Sequence, residues 1–153
     1  MRLWRLTRAR FAAFDGMGPA QHGARYSSPG RPVVNFASEA GLAVLVVLRY
    51  LPRDLRGIDD DYVLGWTDVD AVPERIAGEG GDAAVRAAVD AWIDSGRSLL
   101  AAVRSQVLPE ADVVIMNVAH PDAGNVPLLT LRPFSFAECL HSPPMLERSE
   151  SQR

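Results

Sequence analysis

Residues 42–48, Leu-Ala-Val-Leu-Val-Val-Leu, form the longest apolar run in the 153-residue chain and constrain its fold more than any other stretch. The run is far short of the ~20 residues that a membrane-spanning helix needs. Leu42 and Val46 stand at i and i+4, on one helical face. The positions between them are apolar as well, so a helix here must be covered on nearly all sides. Ser38 suits its N-cap and Glu39 the positive end of its dipole. Pro52 ends it just past Tyr50.

The cover has to come from β-type segments. Residues 3–6 alternate apolar and basic, and 33–36 are β-branched and aromatic; 24–26, 62–66, 99–103, 113–116 and 128–131 also read as strands. The Gly- and Pro-rich stretches 14–19 and 27–32 read as a loop and a turn cluster. A second helix is marked by Val85, Val89, Trp92 and Ile93 at i, i+4, i+7 and i+8, with Asp82 as its cap and Gly96 at its exit. Strands with two helices set between them give the class α+β. One domain is expected over residues 1–140, with 141–153, rich in Pro, Ser and charge, as a loose tail.

With 48% apolar and 23% charged residues the chain can bury a core. A net charge of −3 and a pI near 5.6 make no electrostatic case for direct nucleic-acid binding. The arginines of residues 1–8 have no apolar run behind them, so they are not a secretory signal. Cys139 is the single cysteine, which rules out an internal disulfide, and a cytoplasmic protein with no membrane contact is expected.

Few residues offer recognisable chemistry. His22, His120 and His141 are far apart and no pair has metal-ligand spacing, so no metal is expected. Phosphate loop, dinucleotide glycine fingerprint and nucleophile elbow are all missing. What stands out is Arg25-Tyr26-Ser27-Ser28, followed by a Pro-Gly turn, a strand and the apolar helix. An arginine fork suits a pyrophosphate and a neighbouring ring can stack on a heterocycle, although an Arg-Tyr pair is more often a surface charge beside a core ring. Several other features read as structural: His120-Pro121 as loop-shaping, Asp59-Asp60-Asp61 as a solvated turn, Trp92 as core, and Cys139 as a small buried residue.

Taken in order, several motifs resemble the RES domain, a family named for Arg, Glu and Ser residues. They are Met1-Arg2-Leu3-Trp4-Arg5, Gly23-Ala24-Arg25-Tyr26, Ser28-Pro29-Gly30, Pro32-Val33-Val34, Ala37-Ser38 and Ala43-Val44-Leu45. Toward the C-terminus follow Arg104-Ser105, Val107-Leu108-Pro109-Glu110, Asn117-Val118-Ala119-His120-Pro121-Asp122 and Arg132-Pro133-Phe134-Ser135-Phe136. The resemblance implies an ADP-ribosyltransferase-like split β-core with flanking helices around an NAD⁺ cleft. It also implies a bacterial toxin that cleaves NAD⁺ by hydrolysis or phosphorolysis, or transfers its ADP-ribose to a protein, with NAD⁺ as substrate. The implied partner is a cognate antitoxin, Xre-, ParS- or MbcA-like, whose helical part binds DNA and whose C-terminal part blocks the cleft, with a higher-order complex as one form of the pair.

Residue by residue, the resemblance implies that Arg25 contacts the phosphates or ribose, and that Tyr26 walls the pocket. Ser105 is implied to hydrogen-bond substrate, and Asn117 either to bond substrate or to hold its loop. The chain departs from the family pattern twice. Asn35 stands where a Tyr is expected, keeping a hydrogen-bonding group that can still contact the nucleotide but losing the ring. Val46 stands where a Glu is expected, and Val can neither orient a ribose nor stabilise a sugar cation. Three explanations fit: a weakened or inactive natural member, an altered sequence, or another acid in its place. Glu39, two helical turns or roughly 10 Å before Val46 along the axis, is a poor substitute. The alternative to an enzyme is a catalytically silent RES-fold module that binds its antitoxin and modulates DNA binding.

Overall fold

The computed structural model describes residues 1–54, 57–58 and 61–140. Its strands are β1 (Arg2–Arg8), β2 (Val33–Ala37), β3 (Tyr62–Asp68), β4 (Glu74–Arg75), β5 (Leu100–Arg104), β6 (Asp112–Asn117) and β7 (Thr130–Pro133). Its helices are α1 (Met17–His22), α2 (Ala40–Leu48), α3 (Gly81–Ser95) and α4 (Phe136–Leu140). The strands form one seven-stranded mixed sheet in the order β4-β5-β6-β2-β1-β3-β7, in which only β4 and β5 run parallel. The fold is thus α+β, consistent with a split β-core flanked by helices. Asp59, Asp60 and the tail 141–153 lie outside the described residues.

The split is visible in the pairing. β1 is zipped to β3 from Arg2↔Asp68 to Arg8↔Tyr62, and β2 to β6 from Val33↔Asn117 to Ala37↔Val113. Between β1 and β2 there is one registered pair, Trp4↔Ala37. The sheet is therefore two leaves joined at a point, and α2 packs across both β1 and β2 where they diverge.

Period-2 alternation explains why both faces of the first leaf are dry. Val34, Phe36, Leu100, Ala102, Val114 and Met116 pack on one face, with Leu3, Val69 and Val126. The neighbouring positions Val33, Ala101, Val103 and Ile115 face the other way, against Val85, Val89, Trp92 and Ile93 of α3. That stripe is the one its spacing predicts. Trp92 has no exposed surface, and its indole N–H donates to the Ser98 hydroxyl at 2.7 Å. On the second leaf Leu6, Leu64, Phe134 and Phe136 pack against Leu42 and Ala43 of α2.

Five sequence expectations need correction. Residues 24–26 are no strand: Ala24 and Ser27 close a tight turn by an isolated bridge. Residues 14–19 are not all loop, because α1 starts at Met17. Its Pro19 falls in the first turn, where a missing N–H costs nothing, and Gly16 caps it at φ +64°, a conformation few other residues tolerate. Asp82 lies in the first turn of α3, which Gly80 caps. Glu39, not Ser38, caps α2, and the Ser38 hydroxyl instead accepts the Asp112 N–H of β6 at 2.9 Å. Nor is α2 buried all round: Leu42 and Ala43 are, whereas Leu45 is exposed and Val46 and Val47 face cavities. The apolar run is explained by a cleft as much as by a core.

The polar face of α3 does a second job. Asp82, Arg86, Asp90 and Asp94, spaced by four, lie on one side of the helix. Each holds the segment before β2. Arg25 donates to Asp82 at 3.1 and 3.4 Å, and Arg86 donates to the Arg25 carbonyl at 2.9 and 3.1 Å. The Ser28 N–H and hydroxyl both donate to Asp90 at 2.9 and 2.6 Å, and Arg31 makes a two-pronged pair with Asp94 at 2.9 and 2.6 Å. A segment with no regular structure is thereby fixed along its length.

Two outcomes follow for stability. Trp92→Ala empties the centre of the first leaf and should cost about 3–5 kcal/mol, read as a shift of the urea midpoint. Hydrogen bonds from Arg25 and Arg31 hold the Asp82 and Asp94 carboxyls below their ordinary 3.8. Their contribution is therefore complete above that value and is lost as the pH falls through the lower folded values. Urea midpoints followed from neutral pH into the acid range should fall more steeply below about pH 4 for the natural chain than for Asp82→Asn/Asp94→Asn.

Candidate functional site

A cavity of about 230 Å³ opens where the leaves part, between the clamped segment, the end of α2 and the exit of β5. Its lining includes Arg25, Tyr26, Asn35, Val46 and Ser105. Four of the five residues singled out in the sequence thus meet in one place, together with the Val46 departure. They come from segments up to 80 positions apart.

Each is held by a different element. Arg25 and Tyr26 leave the tight turn at Ala24–Ser27, and the Arg25 guanidinium lies 5.3 Å from the Tyr26 ring centroid. Arg25 also donates to the Gln106 side-chain carbonyl, and Gln106 donates to Asp82 at 2.9 Å, closing a triangle that fixes the guanidinium. The salt bridge from Arg25 to Asp82 orients the side chain at the cavity wall. Tyr26 is buried, and burial pushes its phenol pKa up, so the hydroxyl keeps its proton at neutral pH. Asn35 sits mid-β2, opposite Ile115, on the face that Val33 and Ala37 share. Ser105 is buried at the end of β5. Its hydroxyl oxygen accepts the Leu108 N–H at 3.3 Å and its own N–H donates to the Ala111 carbonyl at 3.0 Å, which turns the chain back into β6. The Ser105 hydroxyl proton remains to donate.

Asn117 is not among the lining residues. It is buried at the end of β6, where its amide N–H donates to the Ile93 carbonyl at 3.1 Å and its side-chain oxygen accepts the Ala119 N–H at 3.0 Å. It ties the last turn of α3, which Gly96 ends, to β6 and braces the turn that follows. His120 likewise shapes its loop, accepting the Asp122 N–H on Nδ1 at 3.1 Å. Cys139 is exposed on α4 rather than buried.

Three lining residues escape sequence reasoning: Arg49, Tyr50 and Gln106. Arg49 and Tyr50 stand at i+3 and i+4 from Val46, so the helical repeat of that position was the available signal. Gln106 gives no signal beyond adjacency to Ser105. Among the described residues the cavity wall carries two cations, Arg25 and Arg49, and no carboxylate. Asp82 pairs with Arg25 without lining it, and Glu39 stands exposed at the far end of α2. Such a wall attracts an anion, offers two aromatic rings, and provides hydrogen-bonding groups from Asn35, Ser105 and Gln106. Among the described residues no group of His, Cys, Asp and Glu side chains gathers to hold a metal ion, and no helix is long and apolar enough to cross a membrane.

A curated protein named Toxin Res, from Photorhabdus laumondii subsp. laumondii, is 29% identical over 132 residues, spanning 80% of this chain and 85% of that protein. The family profile described as RES domain matches residues 2–137, from the start of β1 into α4. The chain belongs to the RES-domain family.

Proposed function

We propose that this chain is the toxin of a toxin–antitoxin pair, that its cavity takes NAD⁺ as substrate, and that it cleaves the bond between nicotinamide and ribose slowly. One observation carries the reading: Arg25, Tyr26, Asn35, Val46 and Ser105, scattered in sequence, line a single cavity in a RES domain. A space of about 230 Å³ suits the nicotinamide and its ribose rather than a whole dinucleotide. Arg25 and Arg49 supply the charge to grip the pyrophosphate, while the rings of Tyr26 and Tyr50 flank the heterocycle. Breaking the glycosidic bond expels neutral nicotinamide and leaves positive charge on the ribose, which water, phosphate or a protein nucleophile then captures. A carboxylate would stabilise that cation, and Val46 supplies none. A single missing electrostatic contact of this kind costs about 10²–10³ in rate. Val46 also leaves substrate binding intact, since the cations lie elsewhere on the wall. An antitoxin that covers the cavity mouth would exclude substrate.

The carboxylate-free lining also favours a second reading, in which the RES fold keeps its antitoxin-binding surface without catalysis. NAD⁺ consumption by the purified, partner-free chain, run beside Asn35→Tyr/Val46→Glu, separates the two. The expected result is slow turnover by the natural chain and a rate about 10²–10³ higher in the double variant, with Arg25→Ala abolishing both. Turnover by the natural chain at the rate of the double variant would show that another group supplies the charge. Two folded proteins that leave NAD⁺ untouched would sink the enzymatic reading.

A further inference from the structure

On the other side of Asn35, Val46 and Val113 lies a second cavity, of about 220 Å³. These three residues line both spaces, so they form the partition between them. The second cavity occupies the wedge between β1 and β2 under α2. Its walls are apolar: Trp4, Leu6, Val33, Phe36, Val47 and their neighbours. Among the described residues the one charged residue in its lining is Arg5.

Arg5 differs from the arginines that are held by carboxylates. Arg2, Arg8, Arg25, Arg31, Arg75 and Arg97 all pair with carboxylates. Arg5 is half-buried and makes one long hydrogen bond, from Nη1 to the Ala13 carbonyl at 3.4 Å. Among the described residues it has no ion-pair partner, and Asp15 is felt only at a distance. Burial pulls its pKa down, though an arginine stays charged at any physiological pH. A guanidinium has five N–H donors, and those of Arg5 that make no protein hydrogen bond reach solvent, where an entering anion can accept them. Such a group is stabilised by an anion that enters beside it.

We propose that the Arg5 cavity is a binding site for a monocarboxylate carried on a compact apolar or aromatic body. One cation among apolar walls matches one negative charge; a hydrated dianion such as phosphate would leave a charge unpaired and lose more hydration than Arg5 can replace. The volume lies below the roughly 300–1,000 Å³ of drug-sized pockets, which limits the body to about the size of one ring. The Trp4 ring lines the cavity while stacked at a tilt on Trp66, 5.6 Å between centroids, so it is a fixed wall for a flat ligand. The partition adds a specific expectation. A carboxylate placed at position 46 would reach the same space from the protein itself and would compete with any bound acid.

The proposal does not rest on NAD⁺ turnover, so either can fail without the other. The test is an NMR titration of the full chain with benzoate, its neutral isostere benzamide, and inorganic phosphate, following the Arg5 Nε–Hε and Trp4 indole N–H signals. Benzoate should saturate at both signals, with benzamide and phosphate each weaker by about tenfold or more. Arg5→Met preserves side-chain length and should fold with an unchanged or higher Tm, while binding benzoate no better than benzamide. Val46→Glu should weaken benzoate by a similar factor and leave Arg5 in place. Equal binding of benzoate and benzamide, preference for phosphate, unchanged benzoate binding in folded Arg5→Met, or no saturable shift at either signal would each overturn the proposal.

Discussion

Between β1 and β2 the sheet is joined by one registered pair, Trp4 opposite Ala37, and everything that concerns ligand binding depends on that narrow join. A sheet fully paired from β4 to β7 would have no interior space, because the side chains on each face would close on their helices. Here the strands diverge and α2 lies over the gap, so apolar side chains meet cavities on either side of one partition. The apolar run in α2 reflects this position. Leu42 anchors the helix in the second leaf, and Val46 and Val47, toward its other end, face the wedge. The same helix then delivers Arg49 and Tyr50 to the mouth.

A cleft between two leaves needs a rigid rim, and the rim is the loop before β2. Beyond the Ala24–Ser27 bridge this loop has no regular pairing of its own, so most of its geometry has to be imposed from outside. In this molecule α3 imposes it through residues 82, 86, 90 and 94. Exposed ion pairs of this kind each contribute little to stability. Their effect here is positional: two-pronged contacts to Arg25, Ser28 and Arg31 fix orientation as well as distance. Gln106 adds a contact from the opposite wall. Arg25 is therefore already oriented at the cavity wall, with little side-chain entropy left to lose on any contact there.

The parts of this design differ in how legible they are in the sequence. The core of α3 and strands β1, β2, β3, β5 and β6 follow from periodicity, because burial leaves a repeat of 3.6 or 2. The polar stripe of α3 has the same repeat, yet it reads as a solvated face, since nothing local says that a loop will return to it. The mistaken strand at 24–26 has the same origin: Ala-Arg-Tyr alternates like a strand, and a tertiary clamp makes it a turn. Helix α1 was hidden by Gly16, Gly18 and Pro19, residues that punctuate loops and also start helices. Asn117 and Ser105 were identified through resemblance, but only coordinates separate them. The Asn117 amide has its partners inside the fold, whereas Ser105 lines the cavity with a hydroxyl proton to donate.

The partition residues connect chemistry with architecture. Asn35 and Val46, the two positions where the family resemblance leads one to expect a Tyr and a Glu, both line both cavities. A substitution at a partition alters two spaces at once. Among the described residues the Arg25 side has no acid in its lining, so its wall is cationic and suited to holding an anion rather than to stabilising a developing cation. On the other side Arg5 has no ion-pair partner among the described residues, so a space lined mostly by apolar groups carries one cation. Both consequences meet at Val46, an uncharged side chain at the join of two leaves. A cavity without a carboxylate is not neutral; it has the charge of the cations on its wall.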